Sequence, residues 1–253
     1  MILEARSLRI GYRNRVVGAD LDLGLGGASV VALLGPNGGG KTTLLKTLLG
    51  LIPPLGGQVL VDGRDIGGWT MRERARRLAY VPQIHGSTFG FSVEEVVMMG
   101  RTAHGSAFAA PSAKDREIVR EAMAVLDLGR FGDRPFTEIS GGERQLALVA
   151  RALAQEPRAI ILDEPTASLD FANQGAVLRT LRSLAGRGYG ILFTTHDPNH
   201  ALRHADLVVM IRDGRILCQG PADEIVTARS LAALYGRPVR ELGRGRDRGY
   251  LPE

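Results

Sequence analysis

Gly35, Pro36, Asn37, Gly38, Gly39, Gly40, Lys41, Thr42 and Thr43 follow the spacing G-x-x-x-x-G-K-[ST]. An apolar run at residues 29–34 precedes them and a helix-periodic run at residues 43–49 follows, so the motif lies in a strand–turn–helix context. That arrangement suits anion binding. Glycines let successive backbone N–H groups turn toward phosphate oxygens, and the new helix adds the positive end of its dipole. Lys41 is placed to reach the β/γ-phosphates and the Thr42 hydroxyl to ligate Mg²⁺. The stretch predicts binding of a nucleoside triphosphate.

Two further groups fit the same chemistry. Ile160, Ile161 and Leu162 form a continuous apolar strand that ends in Asp163 and Glu164. Ligands of parallel sheets collect at such carboxyl ends. Asp163 is expected to hold Mg²⁺, directly or through water, and Glu164 to polarise an attacking water as general base. Ser140, Gly141, Gly142 and Glu143 precede an apolar-periodic run. Ser140 and Glu143 are spaced as a capping box, so Glu143 is expected to point back at the helix start. The glycine N–H groups there form a second donor set for phosphate.

The elements that must position these residues read as α/β. Residues 3–12, 16–17, 19–23 and 59–64 read as strands, the last carrying an Asp62-Gly63 hairpin signal. They predict a small antiparallel sheet in the N-terminal part. Residues 83–155 read as a helical block, with helices at 93–99, 113–126 and from 140 onward. Strands at 159–162 and 191–194, separated by a helix at 173–186, return the chain to a parallel sheet covered on both faces. Residues 207–211 and 215–219 flank a second Asp-Gly turn.

Composition limits the partners. Hydrophobic residues at 44% allow a large core, and no apolar run approaches the ~20 residues of a transmembrane helix. The first residues lack the pattern of a signal peptide. A single cysteine, Cys218, rules out a disulfide framework and fits a reducing compartment. The net charge of +5 comes with 5% aromatics, and nothing resembles a nucleic-acid module with interleaved aromatics, so no direct nucleic-acid partner is expected. The arginine-rich C-terminus reads as a solvated, loosely ordered tail at residues 238–253.

Taken together and in this order, the phosphate loop, Val81-Pro82-Gln83, Ser140-Gly141-Gly142-Glu143, Asp163-Glu164, Ser168-Leu169-Asp170 and His196 resemble the ABC-type ATPase subunits. The resemblance runs from about residue 2 to 235. It implies a P-loop NTPase (RecA-like) core with an N-terminal antiparallel β subdomain and an inserted α-helical subdomain. The core and β subdomain would cover about 1–82 and 156–237 of an ABC ATPase domain at 1–237, the helical subdomain about 83–155. It implies ATP and Mg²⁺, and a head-to-tail homodimer in which Ser140, Gly141, Gly142 and Glu143 face the partner's ATP and Asp170 crosses the interface. It further implies that Gln83 links Mg²⁺ and the attacking water to the membrane partner. His196 would contact the γ-phosphate, and Tyr12 would stack on adenine. The signature departs from the family's commonest form at Ile139 and Glu143, and Gly39 stands where serine is frequent.

Soluble ABC ATPases acting on nucleic acid or the ribosome usually carry two cassettes, a long coiled coil or cysteine-rich modules. This chain has one cassette and one cysteine, which favours a transporter motor at the cytoplasmic face of the inner (plasma) membrane, peripheral to it. A P-loop kinase would need an acceptor-site or lid pattern, and none is visible. Residues 91–102 resemble importers of iron–siderophore, haem or cobalamin complexes. Residues 169–174 and 194–199 agree with that branch and also resemble molybdate/tungstate importers. Such a motor would pair with integral membrane permease subunits, two of them on the family's pattern, and indirectly with a periplasmic or extracellular solute-binding protein. Docking is expected between Gln83 and Arg101, among Ile84, His85, Phe89, Phe91 and Met98, with Arg101 itself an exposed contact.

Overall fold

The computed structural model describes residues 1–13, 15–83, 90–105, 110–243 and 248–253. It divides into two compact units, Met1–Gly68 with Leu181–Glu253, and Trp69–Thr180. The first unit opens with β1 (Leu3–Tyr12), β2 (Arg15–Leu25), β3 (Ser29–Leu34), α1 (Lys41–Leu48), β4 (Gly56–Val61) and β5 (Arg64–Asp65). Strands β2-β1-β4-β5 form the expected antiparallel sheet. Leu3, Leu8, Leu21 and Leu25 are buried, and they meet in register as Leu3↔Leu25 and Leu8↔Leu21. Asp62 and Gly63 both have positive φ (49° and 77°), as the tight β4–β5 hairpin requires.

The second unit holds α2 (Met71–Ala75), β6 (Leu78–Val81), α3 (Val93–Met98), α4 (Ala113–Val125), α5 (Gly141–Ala154), β7 (Ala159–Leu162) and the start of α6 (Phe171–Gly186). Helices α3, α4 and α5 pack on one another through Val93, Val97, Val119, Ala122, Met123, Ala147 and Leu153, all buried. Strands β6 and β7 pair in parallel. The expected boundaries at 82/83 and 155/156 therefore fall inside this unit.

The chain then completes the first unit with β8 (Gly190–Thr195), α7 (Pro198–His204), β9 (Leu207–Arg212), β10 (Arg215–Pro221), α8 (Ala222–Ile225), α9 (Ala228–Tyr235), β11 (Val239–Leu242) and β12 (Gly249–Pro252). Strand β3 lies parallel between β8 and β9, and β10 returns antiparallel along β9. Residues 30–34 of β3 and 191–193 of β8 are unbroken apolar runs, as expected where both faces are covered. The whole is a mixed α/β fold containing parallel sheet.

Two expectations are corrected. The C-terminal residues are not a loose tail, because β11 and β12 pair antiparallel. The Tyr250 ring is buried, with its hydroxyl donating to the Val226 carbonyl. The arginine-rich composition conceals one aromatic anchor that holds the hairpin down.

Arg101 is not an exposed docking contact. It is 7% exposed. Its Nε donates to Asp115 Oδ1 at 2.9 Å, and its Nη1 to the Ala154 carbonyl and Glu156 Oε2, both at 2.7 Å. The guanidinium thus joins the start of α4 to the end of α5. Three further docking candidates, Ile84, His85 and Phe89, lie outside the described residues.

The Ser112 hydroxyl first, and then Arg101, hold the Asp115 carboxyl down at about 2. A lowered carboxylate pKa stabilises the fold above its unfolded value of about 4, and that contribution is lost as pH falls toward 2. Arg101→Glu places a third carboxylate beside Asp115 and Glu156 and strands the Ala154 carbonyl. It should destabilise the chain by about 3 kcal/mol or more, read as a shift of the urea midpoint.

Candidate functional site

In the first unit, β3 and β8 end flush, with Leu34 opposite Thr195 and Gly35 N–H donating to the Thr195 carbonyl at 3.3 Å. The phosphate loop and His196 therefore leave neighbouring strands at the same carboxyl end, where ligands of parallel sheets bind. Only glycine fits at position 35, because a Cβ there would stand 2.2 Å from the Ile211 carbonyl oxygen. Gly40, the residue before α1, has φ +94°, a conformation that side chains resist.

Helix α1 begins without any side chain capping its first turn. By contrast α2, α3, α4, α5 and α9 all begin with reciprocal capping boxes. An uncapped N-terminus keeps its N–H groups and dipole for an external anion. Lys41 is buried and folds back over the loop, its Nζ donating to the carbonyls of Gly35 (2.8 Å) and Pro36 (3.0 Å). Thr42 is exposed beside it. Tyr12, 49% exposed, ends β1.

The second unit repeats the device. β6 and β7 are parallel, with Val81 opposite Leu162 and Asp163 N–H donating to the Val81 carbonyl at 2.9 Å. Gln83 and the Asp163-Glu164 pair therefore emerge from adjacent strand ends. Asp163 is buried and accepts a hydrogen bond from the Tyr80 phenol, which burial foremost, and then the Asp163 charge, pushes up to about 12. Tyr80 stays a neutral donor. Sequence reasoning passed over it, since one tyrosine in a short strand carries no signal of its neighbour on the next strand. Glu164 has φ +45°, an uncommon conformation for a non-glycine residue.

At the start of α5, Ser140 Oγ accepts from Glu143 N–H, and Glu143 Oε2 accepts from Ser140 N–H at 2.7 Å. The Glu143 carboxyl is held low by the Ser140 hydroxyl first and its backbone N–H second. Glu143 thus points back at its own helix, as its spacing led us to expect. The box uses the N–H groups of Ser140 and Glu143 and neither of those of Gly141 and Gly142. Asp170 accepts from the N–H and Nδ2 of Asn173, both at 2.8 Å, and Asn173 lies against Gly142. Asn173 thereby ties the Asp170 turn to the α5 N-terminus, a connection that appears only in three dimensions.

The sequence profile described as ABC transporter matches residues 19–167. The chain belongs to the ABC transporter ATP-binding family. It is 40% identical to the hemin import ATP-binding protein HmuV of Pseudomonas entomophila, over 94% of each chain. It is 36% identical, over 96% of each, to an ATP-binding protein of Helicobacter pylori assigned to iron chelatin transport. Among solved structures, a metal-chelate type ABC transporter in an inward-facing conformation matches with a TM-score of 0.86 at 33% identity. That match covers 100% of this chain and 97% of the other. Membership makes this chain an ATP-binding protein and an ATPase.

The capping box gives a direct test. Glu143→Ala should cost about 1 kcal/mol of stability at pH 7 and Glu143→Gln less. Because the carboxyl's folded pKa is lowered, wild type should lose its advantage over Glu143→Gln as pH falls through and below the ordinary glutamate value of about 4.3. Thermal melts of the three proteins at pH 7 and pH 3.5 would show both effects.

Proposed function

We propose that this ATPase is the motor of an importer of metal chelates, of the iron–siderophore, haem or cobalamin kind. It works as a head-to-tail homodimer on membrane permease subunits at the cytoplasmic face of the inner membrane, with a solute-binding protein delivering cargo from the other side. One observation carries the substrate class. The likeness to a hemin import protein, an iron chelatin transport protein and a metal-chelate transporter covers 94%, 96% and 100% of the chain. Those names favour metal chelates over molybdate or tungstate. Among the described residues no helix is long and apolar enough to cross a membrane.

In this reading the residues 35–43 cradle the triphosphate, Lys41 turning from the loop carbonyls to the β/γ-phosphates. Tyr12 stacks on adenine. The Thr42 hydroxyl, the Asp163 carboxylate and the Gln83 side-chain carbonyl are hard oxygen donors of the kind Mg²⁺ takes. Mg²⁺, when bound there, neutralises phosphate charge. Glu164 accepts a proton from the attacking water, and His196 contacts the γ-phosphate. The N–H groups of Gly141 and Gly142, with Ser140, serve the ATP of a second copy, and Asp170 crosses to it. Phe171, beside Asp170, is 91% exposed, an apolar side chain that a second copy would cover.

For the permease, the supporting feature is a groove of about 350 Å³ in the second unit, with Phe91, Met98, Met99 and Thr102 among its lining. Phe91 is 43% and Met99 38% exposed. Adaptable apolar residues of this type suit a partner helix.

Glu164→Gln keeps the side chain's size and removes the base. ATP should still bind while turnover falls ~10²-fold or more, and sedimentation should show an ATP-dependent dimer. Hydrolysis at the parental rate would remove Glu164 as the base. Phe91→Glu should leave ATP binding and melting temperature intact, weaken complex formation with the permease, and uncouple hydrolysis from uptake of haem or iron–siderophore in vesicles. Normal uptake would overturn the docking assignment, and uptake of molybdate instead would overturn the substrate class.

A further inference from the structure

The last residue of α9 and the hairpin beyond it touch the one turn of the first unit that carries a proposed catalytic side chain. Tyr235, the last residue of α9, donates its Oη to the carbonyl oxygen of His196 at 2.7 Å. Three residues downstream of that carbonyl, the backbone of Tyr250 is locked to Asn199 from both sides. Asn199 Oδ1 accepts from Tyr250 N–H at 2.8 Å, and Asn199 Nδ2 donates to the Tyr250 carbonyl at 3.1 Å. The turn is closed internally as well. Asp197 N–H donates to Thr195 Oγ1, and Asp197 Oδ1 accepts from Asn199 N–H to cap α7.

His196 is exposed, and it shares with Pro198, Tyr235, Arg237 and Leu251 the walls of a hollow of about 570 Å³. Hydrogen bonds from both sides hold the peptide plane between His196 and Asp197, Tyr235 Oη on its carbonyl and Thr195 Oγ1 on its N–H. The His196 carbonyl belongs to the peptide between His196 and Asp197, so the bond from Tyr235 restrains the ψ angle of His196 and anchors the backbone from which the imidazole projects. Burial, and then the Asp197 charge, push the Tyr235 phenol well above its ordinary value, so it remains a donor throughout the working pH range.

We propose that Tyr235 is a positioning residue for ATP hydrolysis, orienting His196 through its carbonyl, and that the C-terminal hairpin latches the same turn through Asn199. The inference rests on the role of His196 proposed above. It gives the C-terminal residues a function in the chemistry although none of them is proposed to touch nucleotide.

The experiment uses the full chain in its membrane complex and compares Tyr235→Phe, His196→Ala and the double variant. Tyr235→Phe keeps the ring and removes only the hydroxyl. It should lower kcat about five-fold, the worth of one hydrogen bond, with KM for ATP and the melting temperature unchanged. In the His196→Ala background the same substitution should have no further effect, since the group it orients is gone. Asn199→Ala, which unlatches β12, should lower kcat in the same direction and be silent in the same background. If His196→Ala is impaired while Tyr235→Phe hydrolyses ATP at the parental rate, the brace alone falls. Equal losses from Tyr235→Phe in both backgrounds would also overturn it, because the hydroxyl would then act elsewhere. If His196→Ala itself is fully active, the role of His196 falls and takes the brace with it.

Discussion

An anion site made of backbone N–H groups needs a helix start that no side chain caps, and this constraint shapes the phosphate loop. Five helices close their first turn with a reciprocal side-chain box, whereas α1 begins at a left-handed glycine and leaves its turn open. The open turn must be held by something other than a cap. Gly35 does this by lying so close to the Ile211 carbonyl that no Cβ fits. Lys41 does it by bonding two loop carbonyls. Those bonds also keep a buried ammonium satisfied.

Strand register converts that local device into a site. In each unit two parallel strands end level, Leu34 with Thr195 and Val81 with Leu162, and a backbone hydrogen bond continues one step past the end in both cases. A shift of one residue would send every inward side chain to the opposite face. β3, β7 and β8 are buried almost along their whole length, so a slip would draw the polar residues that follow them into the core, and the cost of burying those groups fixes where they emerge.

Much of this was legible in the residues themselves. The phosphate loop, the two Asp-Gly hairpins, the capping box at Ser140 and the acidic pair after β7 are local patterns whose physics is complete within a few residues. The misreadings share one cause, which is partnership across long sequence separations. Arg101 looked like a surface cation because its ligands Asp115, Ala154 and Glu156 are 14 to 55 residues away. The C-terminus looked like a solvated tail because the composition of residues 243–248 outweighs a single Tyr250, whose bonds reach back to Val226 and Asn199. Tyr80, Asn173 and Tyr235 escaped notice for the same reason.

Glu164 illustrates what such a frame is for. Its φ of +45° places a non-glycine residue in left-handed space, and Ser168, at φ +64°, does the same four residues later. Each such residue costs on the order of 1 kcal/mol. The segment keeps this geometry because β7 before it is fully buried and the Ala167 N–H closes a turn onto the Glu164 carbonyl at 3.0 Å. A glycine at 164 would relieve the strain but could not supply a carboxylate, and an ordinary right-handed turn would carry the side chain in another direction. The left-handed backbone at Glu164 thus sets the direction in which its carboxylate leaves the end of β7.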